Sequence, residues 1–148
     1  MRTVLLVLFV AVTGGCASER TYAVRIRNNA PEPITVGFTK DGPVFEERWA
    51  SPEALSNLPQ SRMPEHWGVV VEQGQAKGLQ VVGKFESGTH AFLRVYAGAP
   101  TADELLAKSH GTGGRLDLLL NQSGDNDFVV EEMQGRLSAH LRRYVGGP

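Results

Sequence analysis

Cysteine is almost absent from this chain: its 148 residues include one, Cys16. A single cysteine excludes an intrachain disulfide and any multi-cysteine zinc site, so stability has to come from packing. Aromatic residues are sparse at 7%, and no apolar run approaches the roughly 20 residues that a membrane-spanning helix needs. Neither sign of charge predominates. Fifteen Lys and Arg face sixteen Asp and Glu, which leaves no broad basic field to attract a phosphate backbone, and nucleic acid is not an expected partner. Catalytic signatures are missing as well. No H-E-x-x-H, G-x-S-x-G or phosphate-loop order occurs, and His66, His90, His110 and His140 have no metal-ligand spacing, so neither a metal nor a cofactor is expected.

What is present is an ordinary globular composition, 41% hydrophobic and 21% charged, at a length that suits one domain. The first residues stand apart. Arg2 supplies a positive start, Val4 to Val12 form an apolar run of about nine residues, and Thr13, Gly14 and Gly15 are the small residues that precede a signal-peptidase cut. Residues 1–15 therefore read as an export signal.

The run V-T-G-G-C resembles the lipobox of bacterial lipoproteins, with Gly14, Gly15 and Cys16 in place and Thr13 where that family usually carries leucine or another larger aliphatic. The resemblance implies that Cys16 is acylated with several chains and becomes the first residue of the mature protein. It also implies attachment to a bacterial membrane, facing the periplasm. Ala17 after the cysteine, in place of the aspartate of inner-membrane retention, leans toward the outer membrane. The alternative is an incidental cysteine in a signal cut elsewhere, for instance after Ala17. Residues 16–21 form a tether that reaches only about 20 Å at 3.3 to 3.6 Å per residue, so the domain of residues 22–148 is expected to sit close to its membrane.

Within that domain, Tyr22, Val24 and Ile26 alternate with polar neighbours, and Ile34, Val36 and Phe38 do the same, as strands with one buried face require. Asp41-Gly42 ends the second strand in a tight turn or, because Pro43 follows, an irregular connection. Ser51, Pro52 and Glu53 predict a helix start and a short helix over residues 52–57. A strand is expected in H-W-G-V-V-V-E-Q-G. A hairpin is expected across Ser87-Gly88, and Thr101 and Glu104 have capping-box spacing before a brief helix. S-H-G-T-G-G-R ends that helix, and S-G-D-N-D-F reads as a hairpin loop. Strands are expected near residues 115–121, 127–133 and 136–144, the last of which also fits a helical face through Leu137, Leu141 and Tyr144.

Seven or eight short strands with Gly and Pro turns predict a mainly β fold, an antiparallel β-sandwich with one or two short helices. V-R-I-R-N-N-A-P-E-P-I-T-V-G-F resembles the first strands of immunoglobulin-like modules in bacterial envelope proteins, which speaks to fold and not to function. The long connection over residues 40–67 is the candidate contact site, with Phe45, Trp49, Met63 and Trp67 as the residues that would meet an envelope partner. The same tryptophans suit a cap on one open end of the core. The expected function is a non-enzymatic binding or structural module, held at the membrane through lipid on Cys16. The alternative is a small exported hydrolase using His66 or His90.

Overall fold

Alternation sets the first strand, and pairing extends it. In the computed structural model, which describes residues 16–58, 64–109, 114–122, 124 and 126–142, β1 spans Ser18–Asn28 with Tyr22, Val24 and Ile26 buried. It starts before the apolar pattern does, because Ser18 to Arg20 lie opposite Phe85 to Gly83 of a neighbouring strand, and ladder hydrogen bonds need no hydrophobic side chain. The stretch before the first strand, expected as residues 16–21, thus contracts to Cys16 and Ala17.

The remaining strands are β2 (Ile34–Lys40), β3 (Val69–Val71), β4 (Ala76–Phe85), β5 (Ala91–Ala97), β6 (Arg115–Leu119), β7 (Asp127–Met133) and β8 (Arg136–Leu141). They form two four-stranded sheets, in the orders β4-β1-β7-β8 and β3-β2-β5-β6. Ile26, Ile34, Val36, Leu93, Val95 and Val130 are fully buried between the sheets. This is the expected mainly β sandwich. One pairing departs from the antiparallel expectation: β1 and β7 run parallel from Arg25–Asp127 to Asn28–Val130. The orders also put β1 and β2 in opposite sheets, whereas the constant-type immunoglobulin order keeps its first two strands in one.

Two expected hairpins are crossings between sheets. Ser87-Gly88 joins β4, paired with β1, to β5, paired with β2, so the turn arches over the core and the strands it joins do not pair. The arch is closed locally by the Thr89 hydroxyl, which donates to the Glu86 carbonyl at 2.8 Å, and by Gly88 at φ 83°. S-G-D-N-D-F likewise leads from β6 in one sheet to β7 in the other, with Ser123 and Asp125 outside the described residues. Both errors have one cause. A strand with one buried face shows the same alternation whether its neighbour in sequence lies beside it or across the core.

Gln134-Gly135 does make a hairpin, joining β7 to β8 with Met133 opposite Arg136. Both turn residues have positive φ, 55° and 73°, as the tight hairpin turn that matches strand twist requires. That pairing resolves the last segment as a strand to Leu141; Tyr144 lies outside the described residues.

A second layer covers the outer face of the β3-β2-β5-β6 sheet. It contains α1 (Pro52–Ser56) and α2 (Ala102–Ser109), and the 3₁₀ turn before α1 (Glu47–Trp49) sends Trp49 into the main core. Ser51 caps α1, its hydroxyl accepting from the Ala54 N–H at 3.2 Å. Thr101 and Glu104 form the expected capping box, the Glu104 carboxylate accepting from the Thr101 N–H at 2.8 Å and the Thr101 hydroxyl from the Glu104 N–H at 3.4 Å. Leu55, Trp67, Tyr96 and Leu105 pack together there, apart from the main core.

Two tryptophan–glycine contacts hold these layers in place. Gly83 faces the core on β4, and a β-carbon there would lie 2.2 Å from Trp49 Nε1; one on Gly37 would lie 2.4 Å from Trp67 Cη2. Each indole fills the space its glycine leaves. Gly83→Ala and Gly37→Ala are each expected to lower stability by about 1 to 3 kcal/mol in urea unfolding, as overpacking does, whereas Gly78→Ala, whose β-carbon meets nothing within 4 Å, should change it by less than about 0.5 kcal/mol.

Candidate functional site

The candidate site grows from the end of β2. Alternation carries Lys40 onto the inward face, yet its side chain is a cation, only 4% exposed, and a buried cation must be paired. The Lys40 ammonium donates to the Glu46 carboxylate and to the Lys84 carbonyl at 2.8 Å, and lies 5.0 Å from the centre of the Phe85 ring. Glu46 also accepts from the Lys84 N–H at 2.9 Å. One carboxylate therefore ties the returning loop to both sheets.

Beyond that tie the chain turns inward. Trp49 is 2% exposed, donates from Nε1 to the Val82 carbonyl at 3.1 Å, and meets Tyr22, Phe38 and Phe85 at ring separations of 5.0 to 5.7 Å, mostly edge to face. The loop before it, residues 41–46, is held at its other end by Asp41. The Asp41 N–H donates to the His90 carbonyl at 3.1 Å, and its carboxylate accepts from the His90 N–H and lies 3.1 Å from Nδ1. Between these ties Val44 has φ 69°, a conformation that β-branched residues rarely adopt, and Phe45 points outward, 55% exposed.

A groove of about 570 Å³ opens beneath this loop, walled by Pro43, Phe45, Ala54 and Phe92 with Arg94 and Asp117 at its side. The charged wall is a closed network. Arg94 donates to Glu53 at 2.9 Å and from Nε to Asp117 at 2.7 Å, and Arg115 meets Glu53 at 3.4 Å and Asp117 at 3.0 Å. The network fastens α1 to β5 and β6 and leaves no excess charge of its own. Although burial opposes it, Asp117 and then Glu53 raise the Arg94 pKa, so the guanidinium stays charged. Burial pushes the neighbouring Tyr96 phenol up, against the nearby Arg94 guanidinium, which lowers it. A larger groove, about 810 Å³, lies over Ala23, Gly78 and Leu141. Its Asn126 amide is used on the Ala23 and Asn121 carbonyls, while Arg25, Gln80, Asp127 and Arg142 also line it.

The structure separates the expected contact residues. Phe45 is on the surface, whereas Trp49 and Trp67 are core: Trp67 is 6% exposed, donates from Nε1 to the Ala50 carbonyl at 3.1 Å and meets Tyr96 edge to face at 5.7 Å. The capping alternative fits Trp49, which joins the main core, whereas Trp67 packs in the outer layer. Met63 lies outside the described residues. Cys16 is exposed and separated from β1 by Ala17 alone. His66 and His140 are exposed and His110 lies outside the described residues. His90 has an orienting carboxylate in Asp41, but among the described residues no hydroxyl or thiol hydrogen-bonds its other ring nitrogen, so the pair closes the end of the β2–β5 ladder. Also among the described residues, no three His, Cys, Asp or Glu are grouped to hold a metal ion, and no helix is long and apolar enough to cross a membrane.

Sequence reading missed the charged partners. Glu53 reads as a helix-start acid, and no local pattern links it to Arg94 or Asp117, because only the fold brings α1, β5 and β6 together. Lys40 carried a usable signal: a lysine at the inward phase of an alternating strand.

Partial burial acts against ionisation of Glu46, but hydrogen bonds from Lys40 and from the Lys84 N–H outweigh it and hold the pKa below its ordinary 4.5. The stability this adds is present above the ordinary value and is lost as pH falls through the lowered one. Urea midpoints measured from about pH 7 to about pH 3 should therefore fall less steeply in Glu46→Gln than in the wild type, with the variant weaker at neutral pH. Comparison with protein-family models, with curated proteins and with solved structures returned no match to this chain.

Proposed function

We propose that this protein is an exported bacterial lipoprotein, anchored through acyl chains on Cys16 and facing the periplasm, that works as a non-enzymatic binding or structural module of the cell envelope. The observation that carries the reading is the position of Cys16. It is exposed, it follows the export-signal pattern, and one residue separates it from a strand whose alternate side chains run into the core. An acyl group on that sulfur would hold this end of the sandwich against a bilayer, and more than one chain makes such an anchor durable. Ala17 favours the outer membrane within the same reading. The 40–67 connection supplies the contact surface through its exposed part, residues 41–46 and the groove behind them, since both tryptophans are spent on packing.

Intact mass of the membrane-extracted protein tests this directly. The expected wild-type mass is that of residues 16–148 plus acyl chains, with the adduct lost and the protein released from membranes in Cys16→Ala. An unmodified chain cut at another position would overturn the reading.

A further inference from the structure

Residues 41–46 lie at the same end of the sandwich as Cys16. Glu46 accepts from the N–H of Lys84, and Lys84 is opposite Glu19 at the start of β1. Gly42 packs on Thr89, in the arch that follows Phe85, and Phe85 is opposite Ser18. Among the described residues, the largest exposed apolar groups at this end are Phe45 and Leu119; Leu119 is 60% exposed and lies opposite Phe92, which lines the groove with Phe45. Met133, 62% exposed, marks the opposite end, because β7 runs parallel to β1 and carries Met133 at its far terminus.

The tether is too short to keep this end away from a bilayer. Cys16 and Ala17, fully extended at 3.3 to 3.6 Å each, reach about 7 Å. The loop is held at both ends, since Asp41 ties one side of it to His90 and Glu46 ties the other to Lys40 and Lys84. Its tip is an aromatic ring. Charge does not explain the contact: Glu19, Asp41, Glu46 and Glu86 at this end offset Arg20, Lys40 and Lys84, so anionic headgroups would not be drawn to it.

We propose that Phe45 is a second membrane contact, its ring entering the apolar boundary of the bilayer to which Cys16 fastens the chain. The partner is the lipid surface, recognised by its acyl region and not by headgroup charge. The ring would reach the depth of interfacial apolar side chains, about 5 to 10 Å. This orients the domain as well as retaining it, because an anchor and a second contact fix a tilt that one anchor leaves free. The proposal rests on the acylation of Cys16.

The test uses the full acylated chain with a bimane label on Phe45→Cys or, separately, on Met133→Cys. Both sites are exposed, so folding should be retained, and an acylated Cys16 offers no thiol for the label. Each protein is placed in phosphatidylethanolamine–phosphatidylglycerol vesicles with acyl chains brominated close to the headgroup. The expected result is loss of most bimane emission at position 45 relative to unbrominated vesicles, no loss at position 133, and no change on adding salt. An acylated protein whose position 45 is not quenched overturns the proposal alone and assigns the loop to a protein partner. Equal quenching at both positions also overturns it, since the domain would then lie flat. A mass without acyl chains overturns the lipoprotein reading, and this proposal with it.

Discussion

The seat of Trp49 over Gly83 is the constraint on which the rest of the insertion depends. A 28-residue stretch between β2 and β3 has to leave one sheet, cover its outer face and return, and a chain of that length has many ways to do so. An indole that fits only where β4 lacks a side chain removes most of them. With Trp49 inside, Ala50 and α1 are carried over the edge of β2, Trp67 comes down on Gly37, and the residues before Trp49 are left as a short loop closed by Glu46 and Asp41. Burial of one ring thus sets what another ring, Phe45, presents to the outside.

Polar groups do the complementary work of fixing register where hydrophobic packing is indifferent to it. Asn28, fully buried, donates to the Glu32 and Val71 carbonyls at 2.8 and 2.9 Å and accepts from the Ala30 N–H, which joins the end of β1 to the edge strand of the opposite sheet. Asn126 does the same at the other crossing, accepting from the Asn121 N–H and donating to the Ala23 carbonyl at 3.1 Å. An unsatisfied buried amide costs about 1 to 3 kcal/mol, so each asparagine excludes arrangements that would leave it unpaired. The ring of Arg94, Glu53, Arg115 and Asp117 acts likewise on α1. Being partly exposed it adds little net stability, but it admits one placement of the helix on the sheet.

The acyl anchor and the Phe45 contact that we propose would make this end of the sandwich its membrane-facing side, with the groove beside Arg94 and Asp117 opening close to the bilayer surface. A partner reaching that groove would meet a neutral, fully paired charge network and the apolar wall of Pro43, Ala54 and Phe92. Recognition there would depend on shape and apolar contact more than on long-range attraction.

Much of this was legible from local pattern. Strand positions follow from alternation, the helix starts from Ser51 and Thr101, and the last hairpin from Gln134-Gly135. All of these are decided within a few residues by backbone geometry and solvent contrast. What the sequence by itself determined was therefore which segments are strands, where helices begin, and which face of the first two strands is buried. Only the tertiary structure decided that Ser87-Gly88 arches between sheets, that β1 and β7 pair in parallel, that both tryptophans are packing residues, and that Phe45 shares an end with Cys16. Those outcomes depend on which distant segments become neighbours. Alternation is blind to that, because a strand buries the same face whether its partner comes from the next ten residues or from the other end of the chain.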